Sequence, residues 1–187
     1  MSTTTHEHKP IDNSFFRSII RGKTRIGLAW IFAAILVFSA REFPIWPGIV
    51  LCFLGATLRF WASGFLRKDS KVAVGGPYAF TRNPLYLGTY FMALGTALAI
   101  QNWWLFGAGT VLFAVIYHFI ILDEENKLSE IFGQPYLRYS QLVPRFFPRP
   151  GPVSRQKLEE VNSNSEHYKF SWELATKNKA HEAYASF

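Results

Sequence analysis

The sequence predicts an all-α integral membrane bundle of four transmembrane helices with a cytoplasmic C-terminal helical segment. Three observations predict it. Of the 187 residues, 49% are hydrophobic and only 18% charged, and the apolar residues cluster in runs, which is the pattern of a membrane protein. Four runs stand out, at 26–40, 47–66, 85–100 and 103–122, and the second and fourth are each about 30 Å long as helix, the thickness of a bilayer core. The cations are unevenly placed. Lys9, Arg17, Arg21, Lys23 and Arg25 precede the first run, Arg67, Lys68, Lys71 and Arg82 separate the second from the third, and more follow the fourth, whereas the other two connectors hold only Arg41. By the positive-inside rule both termini and the connector around residue 75 are cytoplasmic. The formal charge of +7 therefore reads as topology, not as a nucleic-acid surface.

Residues 1–13 are polar and read as a disordered N-terminus, 14–150 as the membrane domain and 151–187 as a polar tail. Phe15, Phe16, Ile19 and Ile20, interleaved with Arg17 and Arg21, read either as an amphipathic segment on the inner surface or as the flank of the first helix. A basic start before an apolar run also resembles a signal peptide, but bulky Phe38 lies three residues before a cut after Ala40 and argues against cleavage. In the second run, Arg59 sits about 10 Å from the cytoplasmic end. A cation at that depth needs a substrate anion, a carboxylate partner or a snorkelling path. Cys52 is the only cysteine, so no disulfide framework or CxxC metal site exists.

Residues 74–88, VGGPYAFTRNPLYLG, break the apolar background. Gly75, Gly76 and Pro77 forbid a continuing helix and Asn83-Pro84 imposes a turn, with amides expected to be left unpaired and able to hold a polar ligand. Pro84 suits the first turn of the third helix. Only Gln101 and Asn102 join the third run to the fourth, which requires an antiparallel hairpin. Gly88, Gly95 and Ala99 share one helix face, and Gly107 and Ala114 share another with His118 and Glu125; both faces favour close packing. The hairpin returns Tyr86 and the pair Glu124-Glu125 to the same membrane surface. The fourth helix is expected to run on through Leu128 and Phe132 to a C-cap at Gly133. Tyr136, Tyr139, Val143 and Pro144, with Arg138 and Arg145, read by themselves as an interfacial belt. After Gly151 the composition reads as a linker leading to a surface helix over 168–185.

GGPYAFTRNPLYLG, followed later by EENKLSEIFGQPYLRYSQLVPRF, resembles the paired signature of the isoprenylcysteine carboxyl methyltransferase family and its bacterial and phospholipid-methyltransferase relatives. The likeness covers residues 70–147. It implies methyl transfer from S-adenosylmethionine held at the cytoplasmic ends of the hairpin, with no metal. Carried over by position, the cofactor contacts are Ser70, Lys71, Val72, Ala73, Tyr78, Asn83, Pro84, Leu85, Tyr86 and Glu124. A carboxylate can take ribose hydroxyls or an ammonium, and a tyrosine face can cover the purine or the sulfonium. Three positions depart from the family pattern. Asn83 and Ser70 stand where histidines are common, and Ile120 stands where the family has its substrate-binding arginine, which leaves Arg59 or Arg145 to supply that cation. A carboxylate acceptor needs no general base, whereas an amine acceptor does, and Glu125 or His118 are the candidates.

The acceptor is expected to be a lipophilic or prenylated molecule entering from the bilayer. Three alternatives differ in chemistry: an amine or phospholipid N-methyltransferase, an NADPH-dependent sterol reductase, which carries a related RxPxY segment, and a scaffold binding anionic lipid through its basic faces. The scaffold gives no reason for Asn83-Pro84 and the glutamate pair to meet.

Overall fold

A computed structural model describes residues 45–67 and 71–178, all inside one unit spanning 39–187. The 26–40 run, the 1–13 and 14–21 segments, Ser70 and residues 179–187 lie outside the described residues. The helices are α1 (Trp46–Ser63), α2 (Pro84–Ala99), α3 (Trp103–Phe132), α4 (Gln134–Leu142), α5 (Arg155–Glu159) and α6 (Trp172–Lys177), with single 3-10 turns at Gly76–Ala79 and Ser165–Tyr168. No strand occurs among the described residues. By length and composition α1 and α3 can each cross a membrane. α2, at 16 residues, is about 24 Å long and shorter than a bilayer core.

α1 and α2 pack backbone against backbone. A Cβ on Gly95 would lie 2.6 Å from the Cys52 amide nitrogen and the Gly48 carbonyl, and one on Gly55 would lie 2.6 Å from the Gly88 carbonyl. Four glycines therefore form a seam that no larger residue fits, and the close approach collects dispersion along its length. The Ile45 amide closes the far end on the Ala99 carbonyl at 3.3 Å. The small face of Gly88, Gly95 and Ala99 thus serves α1 and not the α2–α3 hairpin. The second small face is open over its first turns among the described residues: Gly107 has none of them within 4 Å of its missing Cβ, and Ala114 and His118 are exposed, whereas Glu125 is buried. Helical spacing defines a face but does not say which neighbour fills it.

The hairpin forms as its two-residue connector requires. Gln101 takes a left-handed φ of 60°, and the Asn102 side chain caps α3 by accepting the Leu105 amide at 3.1 Å. α2 and α3 are spaced by aromatic rings. Within α3, Phe113 stacks on Tyr117 with centroids 3.8 Å apart; from α2, Tyr90 meets Phe113 at 4.9 Å and Tyr86 meets Tyr117 edge-on at 5.3 Å. α3 continues to Phe132 and ends at Gly133, whose φ of 57° only glycine adopts cheaply and whose amide bonds the Ser129 carbonyl at 2.9 Å.

Beyond Gly133 the chain builds a core with the turn before α2 and with the tail. Tyr136, Tyr139 and Val143 of the α4 region pack with Val72, Val74 and Ala79 and with Val153, Leu158 and Val161 from the tail. These tyrosines are core and not a belt, with Tyr136 and Tyr139 at 4% and 2% exposure. The linker reading of the residues after Gly151 is likewise overturned, because Val153, Leu158, Val161 and Ala175 are buried. The helix expected over 168–185 begins only at Trp172; Ser171 caps it by accepting the Leu174 amide at 3.2 Å.

Candidate active site

The turn before α2 is built from three kinds of restraint. Gly76 adopts φ 55°, where a side chain would also strike the Phe65 ring at 2.5 Å. The Gly76–Ala79 turn pairs its own amides, with Tyr78 N–H donating to Gly75 and those of Phe80 and Thr81 to Pro77. The next residues are stitched to the segment after α4. The Arg82 amide donates to the Pro144 carbonyl at 2.9 Å, the Thr81 hydroxyl to the Phe146 carbonyl at 2.9 Å, and the Asn83 Nδ2 to the Arg145 carbonyl at 2.9 Å. The expectation of unpaired amides fails over this half, because the chain after α4 uses the Arg82 donor. Within the stretch it holds at Val74, Gly75 and Gly76, whose amides donate no backbone bond among the described residues, and the amides of residues 71–73 just before it donate none either.

At the mouth of the hairpin the two halves of the motif touch. Tyr86 Oη donates to Glu124 Oε2 at 2.5 Å, a charge-assisted bond that fixes an otherwise exposed carboxylate. Tyr78 lies close enough to Glu124 that the carboxylate, after burial, raises the phenol well above its usual range. Its carbonyl accepts the Tyr139 hydroxyl at 2.8 Å, and burial raises Tyr139 too. Tyr136 is pushed up to about 12, by burial first and by Glu125 second. All three phenols therefore stay neutral near pH 7 and act as hydrogen-bonding groups and apolar faces.

Glu125, one residue on, points elsewhere. Its Oε1 lies 3.3 Å from Arg82 Nη2 and its Oε2 accepts Arg145 Nε at 3.0 Å. The carboxylate is 8% exposed, so burial is offset by two guanidinium groups. This arrangement suits Glu125 to holding Arg82 and Arg145, and not to taking a proton from an acceptor. Arg145 differs from its partners in access, with 43% of its side chain exposed against 11% for Arg82.

The remaining candidates divide by access. Arg59 crosses from α1 to α2, donating to Thr89 Oγ1 and to the Leu85 carbonyl at 3.4 Å. Lys71 is exposed and Ala73, Asn83 and Leu85 are half-buried. Val72 and Pro84 are buried, so their side chains support the turn. His118 is exposed on α3. Arg82 and Thr81 were missed by sequence reasoning, although a lone cation inside the turn motif, facing an acidic pair across the hairpin, was the available signal. Among the described residues no group of three or more His, Cys, Asp or Glu is placed to hold a metal ion.

The arrangement supplies an oriented carboxylate at Glu124, bonded to the Tyr86 hydroxyl, which can take hydroxyls or an ammonium.

Comparison with known proteins finds a metal-resistance protein, two methyltransferases and one matching family. The chain is 27% identical, over 71% of its length, to a nickel-cobalt-cadmium resistance protein, NccN, of Alcaligenes xylosoxydans xylosoxydans, covering 58% of that protein. It is 35% identical to a protein-S-isoprenylcysteine O-methyltransferase of Schizosaccharomyces pombe, over 43% of the chain and 34% of the relative. A protein-S-isoprenylcysteine O-methyltransferase of Tribolium castaneum is 31% identical over 51% of the chain and 38% of the relative. The chain thus spans only part of each curated relative, at most 58%. No solved structure matches it. The phospholipid methyltransferase family model matches residues 28–135, a stretch that takes in the turn, the hairpin and both glutamates, and on that match the chain belongs to the phospholipid methyltransferase family.

Proposed function

We propose that the chain is an integral membrane methyltransferase that uses S-adenosylmethionine to methylate the carboxylate of a lipophilic, prenylated acceptor. The observation that carries this reading is the Tyr86–Glu124 hydrogen bond, which joins the proline entry of α2 to the acidic exit of α3 beside Tyr78. The proposed topology has four spans, at 26–40, 47–66, 85–100 and 103–122, with both termini and the Tyr86 end cytoplasmic. The cation distribution and the two membrane-length helices support it.

The cofactor, when bound, supplies an electrophilic methyl group on sulfur. Glu124, steadied by Tyr86, receives the ribose hydroxyls or the ammonium, and the faces of Tyr78 and Tyr86 cover the base or the sulfonium. Lys71 and Ala73 offer backbone donors. Arg145, held by Glu125 but still accessible, meets the anionic end of the acceptor where Ile120 supplies no charge. Tyr90, Phe113 and Tyr117 wall the cleft against water and take the apolar chain. Displacement at a methyl group neutralises charge, so alignment and desolvation are the protein's main tasks.

Calorimetry of detergent-purified protein with S-adenosylhomocysteine tests the cofactor. Wild type is expected to bind, and Glu124→Gln to bind about tenfold more weakly or worse with its melting temperature retained. A radiolabelled methyl-transfer assay then compares prenylcysteine acids with aminolipids. Labelling confined to the amines would replace the carboxylate reading with N-methylation, and binding of NADPH in place of S-adenosylhomocysteine would end the methyltransferase reading.

A further inference from the structure

The tail that follows the family match grips both ends of the segment carrying the proposed cofactor contacts. At one end, Asn178 Nδ2 donates to the Ser63 and Leu66 carbonyls at 2.9 and 2.7 Å, satisfying carbonyls at and just beyond the end of α1. At the other end, Asn162 is 3% exposed and its Nδ2 donates to the Val72 carbonyl at 3.0 Å. Asn162 is itself fixed on two sides: its Oδ1 accepts the Asn164 amide at 3.1 Å, and its carbonyl accepts the Tyr168 hydroxyl at 2.9 Å. The Val153 amide adds a bond to the Ala79 carbonyl at 3.0 Å.

A trans peptide group is planar, so the direction of the Val72 carbonyl dictates that of the Ala73 N–H, which points the opposite way. The Ala73 amide donates no backbone bond among the described residues. Asn162 therefore holds one peptide plane with its acceptor turned into the tail and its donor turned away from it. We infer that Asn162 is a positioning residue for the cofactor: by anchoring the Val72 carbonyl it presents the Ala73 amide to S-adenosylmethionine. This rests on the methyltransferase reading above and adds the tail to the site.

The test uses full-length protein in detergent. Asn162→Ala is expected to weaken S-adenosylhomocysteine binding about tenfold and to raise KM for S-adenosylmethionine by the same factor, with kcat at saturation kept. Asn178→Ala loosens the other end of the tail without touching Val72. It is expected to lower the melting temperature but leave the affinity within about twofold. Should Asn162→Ala fail to fold, Tyr168→Phe removes only the hydroxyl that steadies Asn162, with an expected loss of about threefold. Wild-type affinity in Asn162→Ala, or an equal loss in Asn178→Ala, overturns the positioning role while the methyltransferase reading stands. Absence of binding by wild type removes both.

Discussion

α2 has two faces that meet their neighbours in opposite ways. Towards α1 the glycines bring the backbones into contact, with a Cβ on Gly95 2.6 Å from the Gly48 carbonyl. Towards α3 the spacing is set by rings, Tyr90 on Phe113 at 4.9 Å and Tyr86 on Tyr117 at 5.3 Å. The first face fixes where α2 stands and leaves no room for a ligand. The second spaces the two helices by rings at the turns carrying Tyr86 and Tyr90 and ends at the Tyr86–Glu124 pair. A helix seated rigidly on one side can hold a reacting group accurately on the other, which is what in-line transfer demands.

Of the two faces, the glycine seam is the more easily disrupted. Gly95→Leu cannot be accommodated by a rotamer change, because the two nearest atoms it meets are backbone. It is expected to abolish folding, read as loss of the monodisperse peak on size-exclusion chromatography in detergent. A folded, active Gly95→Leu protein would mean that the seam tolerates separation and does not set the cleft.

On the cleft side the largest effect is expected at Glu125. Glu125→Gln leaves Arg82, 11% exposed, without its counter-charge, at a cost of about 3–5 kcal/mol. Arg145 also loses its anchor at Nε, so both stability and turnover should fall while the seam is untouched. A stability loss without a change in turnover would show that Arg145 does not need Glu125 for its orientation. Phe113→Ala is milder. It removes the ring stacked at 3.8 Å on Tyr117, and about 1–2 kcal/mol is expected. The rise should be in KM for the lipophilic acceptor, with binding of S-adenosylhomocysteine unchanged.

The two faces differed in how far they could be read from sequence. The hairpin was legible because Gln101 and Asn102 leave no other path, and the convergence of Tyr86 with Glu124 follows from it. The Gly133 stop was legible because a left-handed residue is required there. Periodicity placed Gly88, Gly95 and Ala99 on one face but could not say that α1, not α3, would fill it. The Glu125 clamp was half legible: the hairpin brings Arg82 to the glutamate pair, but Arg145 reaches it from beyond α4, where no local pattern points back to α3. The tail was hidden by its polarity: Asn162 looks like a linker residue, and its partner Val72 lies 90 positions away. Local composition reports solvent preference, whereas a buried amide is justified only by the carbonyl it meets.

The smallest expected effect separates two explanations of the seam. Besides its glycines, the seam has a polar link, with Cys52 Sγ donating to the Met92 carbonyl at 3.3 Å and lying 3.4 Å from Thr96 Oγ1. Cys52→Ala removes that link but orphans nothing, since Thr96 Oγ1 still donates to the Met92 carbonyl at 2.9 Å. The loss should be about 1 kcal/mol, the void of one sulfur atom, with turnover unchanged. The double variant with Gly95→Ala is the sharper measurement. A Cβ on Gly95 would lie 2.7 Å from Cys52 Sγ but 2.6 Å from two backbone atoms, so removing the sulfur should not rescue it. Thermal unfolding of the two single variants and the double should show near-additive losses. Rescue would locate the tight contact at the sulfur and assign the seam to side-chain fit, whereas additivity assigns it to the approach of the two backbones.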